Sequence, residues 1–411
     1  MRLVLGFTTF FNMASQWPAI DRYYGPAGIL PQASVHLLSR APWRFSIVDH
    51  VGVHTTEGLY LLMLVALLMV GFGIWTRWSM ILATFLLYSF NEYGLIALDG
   101  GDTTTRLLMF ILMFAPSGRA FSVDNLLRRF RIAKETGKDQ SADDRMMSIW
   151  PYRLLLWQIS ILYIACAILK FQGYTWRHGD AVSIVLHHDF FRRGSLELAD
   201  FMTPITPILT AFTLIVQIAW VILIPLGILS ICGLIRTKTF DTFKRALLLG
   251  GTLLHAGIAV FMDVGVFSFV MFTAYLGLLT DNDFRAMRTV LNRKFTRPHI
   301  VLFDGRCGFC NKAIILLRSL DWLHRIEFAN LHDPEARKKY APSVPLSELM
   351  EAMHVRKPDG ELRKGFLGFR VLAGELPLTW FFQPFLFIPG METVGNHVYA
   401  WVARNRSSLH G

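Results

Sequence analysis

Phe303-Asp304-Gly305-Arg306-Cys307-Gly308-Phe309-Cys310 decides the fold of the C-terminal part of this chain. An apolar run, 299–303, leads into it and reads as a short strand. Ala313-Ile314-Ile315-Leu316-Leu317 follows it in a helical pattern. A Cys-x-x-Cys pair at a strand-to-helix turn is well placed for thiol redox chemistry. The N–H groups and dipole at a helix N-terminus stabilise a thiolate, and two sulfurs within one helical turn can close a disulfide with little rearrangement. Cys166 and Cys232 lie alone in apolar segments, so no second pair completes a four-thiolate zinc site. A redox dithiol is the leading reading. A metal site drawing on His324 or His332, and a purely structural pair, are the alternatives. Cys307 is expected to be the reactive thiol, being nearer the helix N-terminus and more exposed than Cys310. Asp304 either handles and orients a proton or simply forms the turn before Gly305.

The chain has 411 residues, 53% of them hydrophobic and only 17% charged, with a net charge of +11. That average conceals a switch. Long apolar runs dominate up to about Thr280, and the charge density of a soluble domain follows. The positive charge sits in loops between apolar runs, as in a membrane protein, and no nucleic-acid motif accompanies it. A membrane helix needs about 20 mostly apolar residues. Runs at 59–75, 80–98, 104–116, 154–171, 208–231, 247–262 and 266–279 qualify, the third being short. A weaker one at 3–20 is interrupted by Asn12, Ser15 and Gln16. That stretch lacks the features of a cleaved signal peptide and is kept as a helix. The expectation is about eight spans, with 32–51 as an amphipathic interfacial segment.

Basic residues set the orientation. Arg119, Arg128, Arg129, Arg131, Lys134 and Lys138 lie between spans four and five. Arg236, Lys238, Lys244 and Arg245 lie between six and seven, and Arg285, Arg288, Arg293 and Lys294 follow span eight. These loops are expected on the cytoplasmic side, with both termini, of a bacterial inner (plasma) membrane. In that reducing compartment Cys307 and Cys310 would be a working dithiol. Ionisable residues inside membrane segments are candidates for function by default. Lys170 ends span five and His255 lies within span seven, both in the outer half of the bilayer. Their bland readings are a snorkelling lysine and an interhelical hydrogen bond.

The stretch from about Ile300 to Arg406 resembles the DCC family of thiol-disulfide oxidoreductase-like proteins. Asp304, Cys307 and Cys310 carry the motif. Met353-His354-Val355-Arg356, the turn Pro358-Asp359-Gly360, Gly365 and Tyr399-Ala400-Trp401-Val402-Ala403-Arg404 also fit. The resemblance implies a thioredoxin-like α/β domain. The proline that thioredoxin-like enzymes carry just before the strand facing the cysteines has no clear counterpart, Pro345 being the nearest. Residues 1–280 resemble the HTTM family, membrane relatives of vitamin K-dependent gamma-carboxylase. That resemblance rests on Arg2, the Tyr24-Gly25-Pro26-Ala27-Gly28-Ile29-Leu30-Pro31 turn, Gly73-Ile74-Trp75-Thr76-Arg77, Ala115-Pro116-Ser117-Gly118, Ser122-Val123-Asp124, and Trp176 with Gly179. It implies Lys170 as a base, His255 as an active-site histidine, and a quinone (vitamin K-like) or lipidic ligand, with Trp176 near the mouth of the site.

The organisation expected is a helical multi-span bundle at 1–282, a basic linker at 283–298 and a thioredoxin-like domain at 299–411. The leading function is a membrane thiol-disulfide oxidoreductase whose Cys307/Cys310 dithiol couples to a quinone-like or lipidic ligand and to a thiol-redox protein partner, without a metal. The alternative is a lipid- or peptide-binding or -modifying membrane protein in which the thiol domain regulates or docks. A transporter ranks third, since no pair of broken inverted-repeat helices is evident.

Overall fold

The computed structural model describes residues 1–25, 28–29, 45–94, 98–136, 148–293 and 297–405. Most of the 32–51 segment, part of the Tyr24–Pro31 turn, and Lys138 and Lys294 lie outside the described residues. The chain divides into two compact units. One is Met1–Ser122 with Met146–Leu279; the other is Val123–Arg145 with Thr280–Gly411.

The first unit is helical. Among the described residues, Val53–Phe72, Trp150–Gln172, Leu196–Ile231 and Thr237–Phe261 are long and apolar enough to cross a membrane. They stay apolar on their outward faces: Ile208, Ile215 and Ile222 recur every two turns along Thr206–Ile231, all exposed. A helix apolar all round suits hydrocarbon as solvent. The expected eight spans are therefore corrected to four. The helices Arg2–Gln16 and Gly100–Phe114 have 15 residues each, and Phe267–Gly277 has 11. At 1.5 Å per residue these reach about 16–22 Å, short of the ~30 Å hydrocarbon core. Thr76–Tyr93 has 18 residues but includes Arg77, Asn91 and Glu92. Apolar counting misses the punctuation. Asp99 and Asp102 form a capping box that starts Gly100–Phe114, and Ala115-Pro116 ends it.

One corner of this unit gathers several residues that carry the second resemblance. Arg2 is 5% exposed. Its guanidinium donates to the carbonyl of Gly71 at 2.9 Å and of Ser117 at 3.0 Å, and also to those of Val70 and Phe121. It thus satisfies the orphan carbonyls where Val53–Phe72 ends. Gly73 follows in the left-handed region at φ 71°, and a Cβ there would lie 2.4 Å from Ser122 and 2.6 Å from Arg2 Nη1.

The second unit holds a four-stranded sheet in the order β2-β1-β3-β4. Its strands are β1 His299–Phe303, β2 Ile326–Asn330, β3 His354–Arg356 and β4 Leu362–Lys364. β1 runs parallel to β2 and antiparallel to β3, which pairs antiparallel with β4. Alternation along β1 feeds two cores. Ile300 and Leu302 pack with Ala329, Leu331, Ala341 and Leu349, while Val301 packs with Ile314, Val355 and Leu372. The Gly308–Leu320 and Gly365–Glu375 helices supply Ile314 and Leu372 to the second face. Met353, Gly365 and Tyr399 converge: Tyr399 Oη accepts from Met353 N at 2.8 Å, and Gly365 N donates to Met353 O at 2.9 Å. Gly360, at φ 94°, turns β3 into β4. Pro345 stands at the N-cap of Leu346–Glu351, so the residues just before β3 are Ala352 and Met353. Much of the stretch read as a linker is the helix Asp281–Leu291, nucleated by a Thr280/Asp283 capping box.

Candidate functional site

Strand β1 ends at Phe303, and four residues later Cys307 becomes the N-cap of Gly308–Leu320. Cys307 Sγ accepts a hydrogen bond from Cys310 N at 3.3 Å, so the first sulfur takes up one of the orphan N–H groups of the helix. Both residues are thiols and both are half-buried. Cys307 lies outside the helix and Cys310 in its first turn.

The loop carrying Cys307 is clamped at Gly305. Its N–H donates to Asn330 Oδ1 at 3.1 Å, and its carbonyl accepts from Asn311 Nδ2 at 3.0 Å. Asn330 sits there because β1 and β2 are parallel and in register, Phe303 opposite Asn330. Their carboxyl ends meet at one edge, where sites of open α/β sheets form. Gly305 has no alternative: a Cβ there would lie 2.4 Å from Asn330 Nδ2.

Asp304 makes two contacts. Its Oδ1 accepts from Arg306 N at 2.9 Å, forming the turn, and lies 2.8 Å from His332 Nε2. Both side chains are largely covered, at 12% and 20% exposure, so the pair is shielded from much solvent competition. His332 N donates to the same Asn330 Oδ1, at 3.0 Å. Asn330, Asn311 and the Asp304–His332 pairing were not anticipated. Asp304 and His332 are 28 residues apart, and only strand pairing brings them together. Among the described residues no group of three or more His, Cys, Asp or Glu could hold a metal ion.

Titratable groups flank the sheet. Burial, reinforced by the Lys357 charge, lowers the pKa of His299 at the start of β1. Burial likewise lowers that of His354 in β3. Burial raises that of Glu375, against the opposing pull of Arg325, whose Nη1 lies 3.4 Å from Glu375 Oε2.

In the helical unit Lys170 and Trp176 touch, and His255 lies within electrostatic reach of Lys170. Lys170 Nζ stands 4.9 Å over the ring of Trp176, a cation–π contact. His255, 2% exposed, lies in a buried polar cluster. Tyr163 Oη is 3.0 Å from His255 Nε2 and hydrogen-bonded to Tyr275 Oη. Trp220 stacks on Tyr163 at 5.2 Å and on Tyr275 at 6.0 Å. Gly251 makes room, since a Cβ there would lie 2.4 Å from Tyr275 Oη. His255 Nδ1, Trp220 Nε1 and, one turn from Trp220, Gln217 Oε1 are buried without a hydrogen-bond partner among the described residues. Tyr163 and Lys170 share the Trp150–Gln172 helix, two turns apart. Tyr163, Trp220 and Tyr275 went unrecognised because aromatic residues in apolar helices read as core.

A family model described as DCC1-like thiol-disulfide oxidoreductase matches residues 301–411. The matched stretch contains Asp304, Cys307, Cys310, Asn330 and His332. No curated protein matches the chain, and no solved structure does. The matched family implies a redox dithiol, and Cys307 and Cys310 are the cysteines within its limits.

Proposed function

We propose that this chain is an integral membrane thiol-disulfide oxidoreductase. The observation that carries the reading is the Cys307 N-cap, one helical turn from Cys310 and within the 301–411 family match. The strand order β2-β1-β3-β4, with the cysteines between β1 and its following helix, supports a thioredoxin-like domain. The Cys307 thiolate attacks one sulfur of a partner disulfide. The S–S bond breaks, the leaving sulfur takes a proton, and a mixed disulfide forms. The Cys310 thiolate then attacks Cys307 Sγ, releasing the partner's second thiol. Two electrons pass to the partner, leaving a Cys307–Cys310 disulfide. Asp304 and His332 would orient and shuttle the protons.

In this reading a quinone-like or lipidic ligand of the helical unit is the second redox party, near Lys170, Trp176 and His255. A dithiol and a quinone would yield a disulfide and a hydroquinone, two electrons and two protons being transferred. The unpartnered polar atoms beside Tyr163 support a polar guest. They equally favour the second reading, an HTTM-like unit that binds or modifies a lipid or peptide while the thiol domain regulates it. The basic loops support cytoplasmic termini in a bacterial inner membrane.

The test uses full-length protein in native membrane vesicles, reduced and then freed of reductant. On adding glutathione disulfide, wild type should lose the Cys307 and Cys310 thiols. A C307S/C310S variant should consume no disulfide beyond background. Equal consumption by that variant overturns the reading. Menadione in place of glutathione disulfide tests the quinone. Retention of both thiols removes that part alone.

A further inference from the structure

The second unit carries an apolar surface that neither the dithiol nor the sheet uses. From Leu376 to Met391 the chain has no Asp, Glu, Lys or Arg. Within it Trp380, Phe381, Phe382, Phe385, Phe387 and Ile388 are exposed, Phe381 by 77%. A soluble surface rarely shows so continuous an apolar patch without a partner. The stretch forms two 3₁₀ turns, Pro377–Thr379 and Gln383–Phe387, too short to span a bilayer. Its polar groups turn inward: Trp380 Nε1 donates to Gly374 O at 2.8 Å and Thr379 Oγ1 to Ala373 O at 2.7 Å. The helix Met391–Asn405 packs on the second turn and presents Val394, Val398 and Trp401 outward on one face.

A second feature of this unit matches the first. In Asp281–Leu291, Phe284, Met287 and Leu291 fall at helical spacing, all exposed. Arg285 lies on the polar side, Arg288 at the border of the apolar face, and Arg293 just beyond the end. That is the pattern of a helix lying in a membrane interface. The two features adjoin. Arg325 donates to Leu291 O at 3.0 Å through Nη2, while its Nη1 pairs with Glu375, directly before the aromatic turns.

We propose that this combined surface, the apolar face of Asp281–Leu291 and the aromatic turns of 376–388, seats the thiol-bearing unit in the interface of an anionic phospholipid bilayer. Aromatic side chains are at home at that depth, and the arginines meet the phosphate headgroups. Covalent connection to the four long apolar helices holds the unit beside a bilayer and raises the effective concentration of the contact. Redox chemistry plays no part in the contact, so its failure and that of the oxidoreductase reading are separable.

The experiment places the photocrosslinking residue p-benzoylphenylalanine singly at Phe381, at Met287 and, as a control, at Glu335, an exposed position in the helix Pro334–Tyr340. Full-length protein is reconstituted in vesicles of phosphatidylcholine with phosphatidylglycerol and irradiated. Lipid adducts are expected at 381 and 287 and not at 335. They should fall when phosphatidylglycerol is omitted. Crosslinks from 381 and 287 to a second copy, or to the chain's own apolar helices, overturn the proposal, as does the lack of any lipid adduct. Because both positions are exposed, the substitutions leave the core intact.

Discussion

Gly305→Ala tests how the cysteine loop is held. The new Cβ would sit 2.4 Å from Asn330 Nδ2 and 2.7 Å from Asn330 Cγ and Oδ1, so the Asn330 side chain must leave. Its departure breaks two hydrogen bonds, from Gly305 N at 3.1 Å and from His332 N at 3.0 Å. At about 0.5–1.5 kcal/mol each, the loss is about 1–3 kcal/mol. The backbone at Gly305 is not in the left-handed region, so strain adds nothing. Asn330→Ala removes the same bonds and also the obstacle. In that background Gly305→Ala should cost under about 0.5 kcal/mol, as expected once the interacting partner is gone. The assay is pulse proteolysis of full-length protein in urea, read on the C-terminal fragment, for wild type, both single variants and the double. A Gly305→Ala that costs nothing, or the same cost with and without Asn330, would refute the clamp.

Other expectations follow from the same geometry. Cys310→Ser should trap a mixed disulfide on Cys307 that survives non-reducing electrophoresis, whereas Cys307→Ser should trap none; the reverse would exchange their roles. Tyr163→Phe removes a hydroxyl that meets both His255 and Tyr275, and should cost the helical unit about 1–3 kcal/mol for the buried groups left unmatched. Thermal unfolding in detergent checks it, with Leu61→Ala on an outward face as a neutral control. His299 and His354 both have pKa values lowered from 6.5, so the folded unit binds fewer protons than the unfolded chain below that value. Their contribution is intact above pH 6.5 and declines as pH falls through it. Glu375, raised from 4.5, acts oppositely: its protonation favours the fold most below 4.5 and less as pH rises through its folded value. Proteolytic stability of the sheet unit should therefore drop between about pH 7.5 and about pH 5.5, and His354→Gln should flatten that drop.

The sequence by itself determined that a strand, a cysteine pair and a helix follow one another at 299–320, because those signals are local: an apolar run, a turn and a 3.6-residue period. It also determined that the chain carries membrane-length apolar helices. It overcounted them because hydropathy sums composition, whereas a helix stops where caps and prolines stop it, as at Asp99 and Pro116. What surrounds the cysteines was decided by tertiary structure. Asn330 and His332 reach the loop only because β2 pairs parallel to β1, residue 330 beside residue 303, and no spacing within the sequence encodes that register. The Tyr163–His255–Tyr275 cluster has the same origin, being assembled from three helices whose residues each look like core. The apolar face of Asp281–Leu291 and the aromatic turns near 380 were written in the sequence as well. That their apolar side chains are exposed among the described residues became visible only in the tertiary structure.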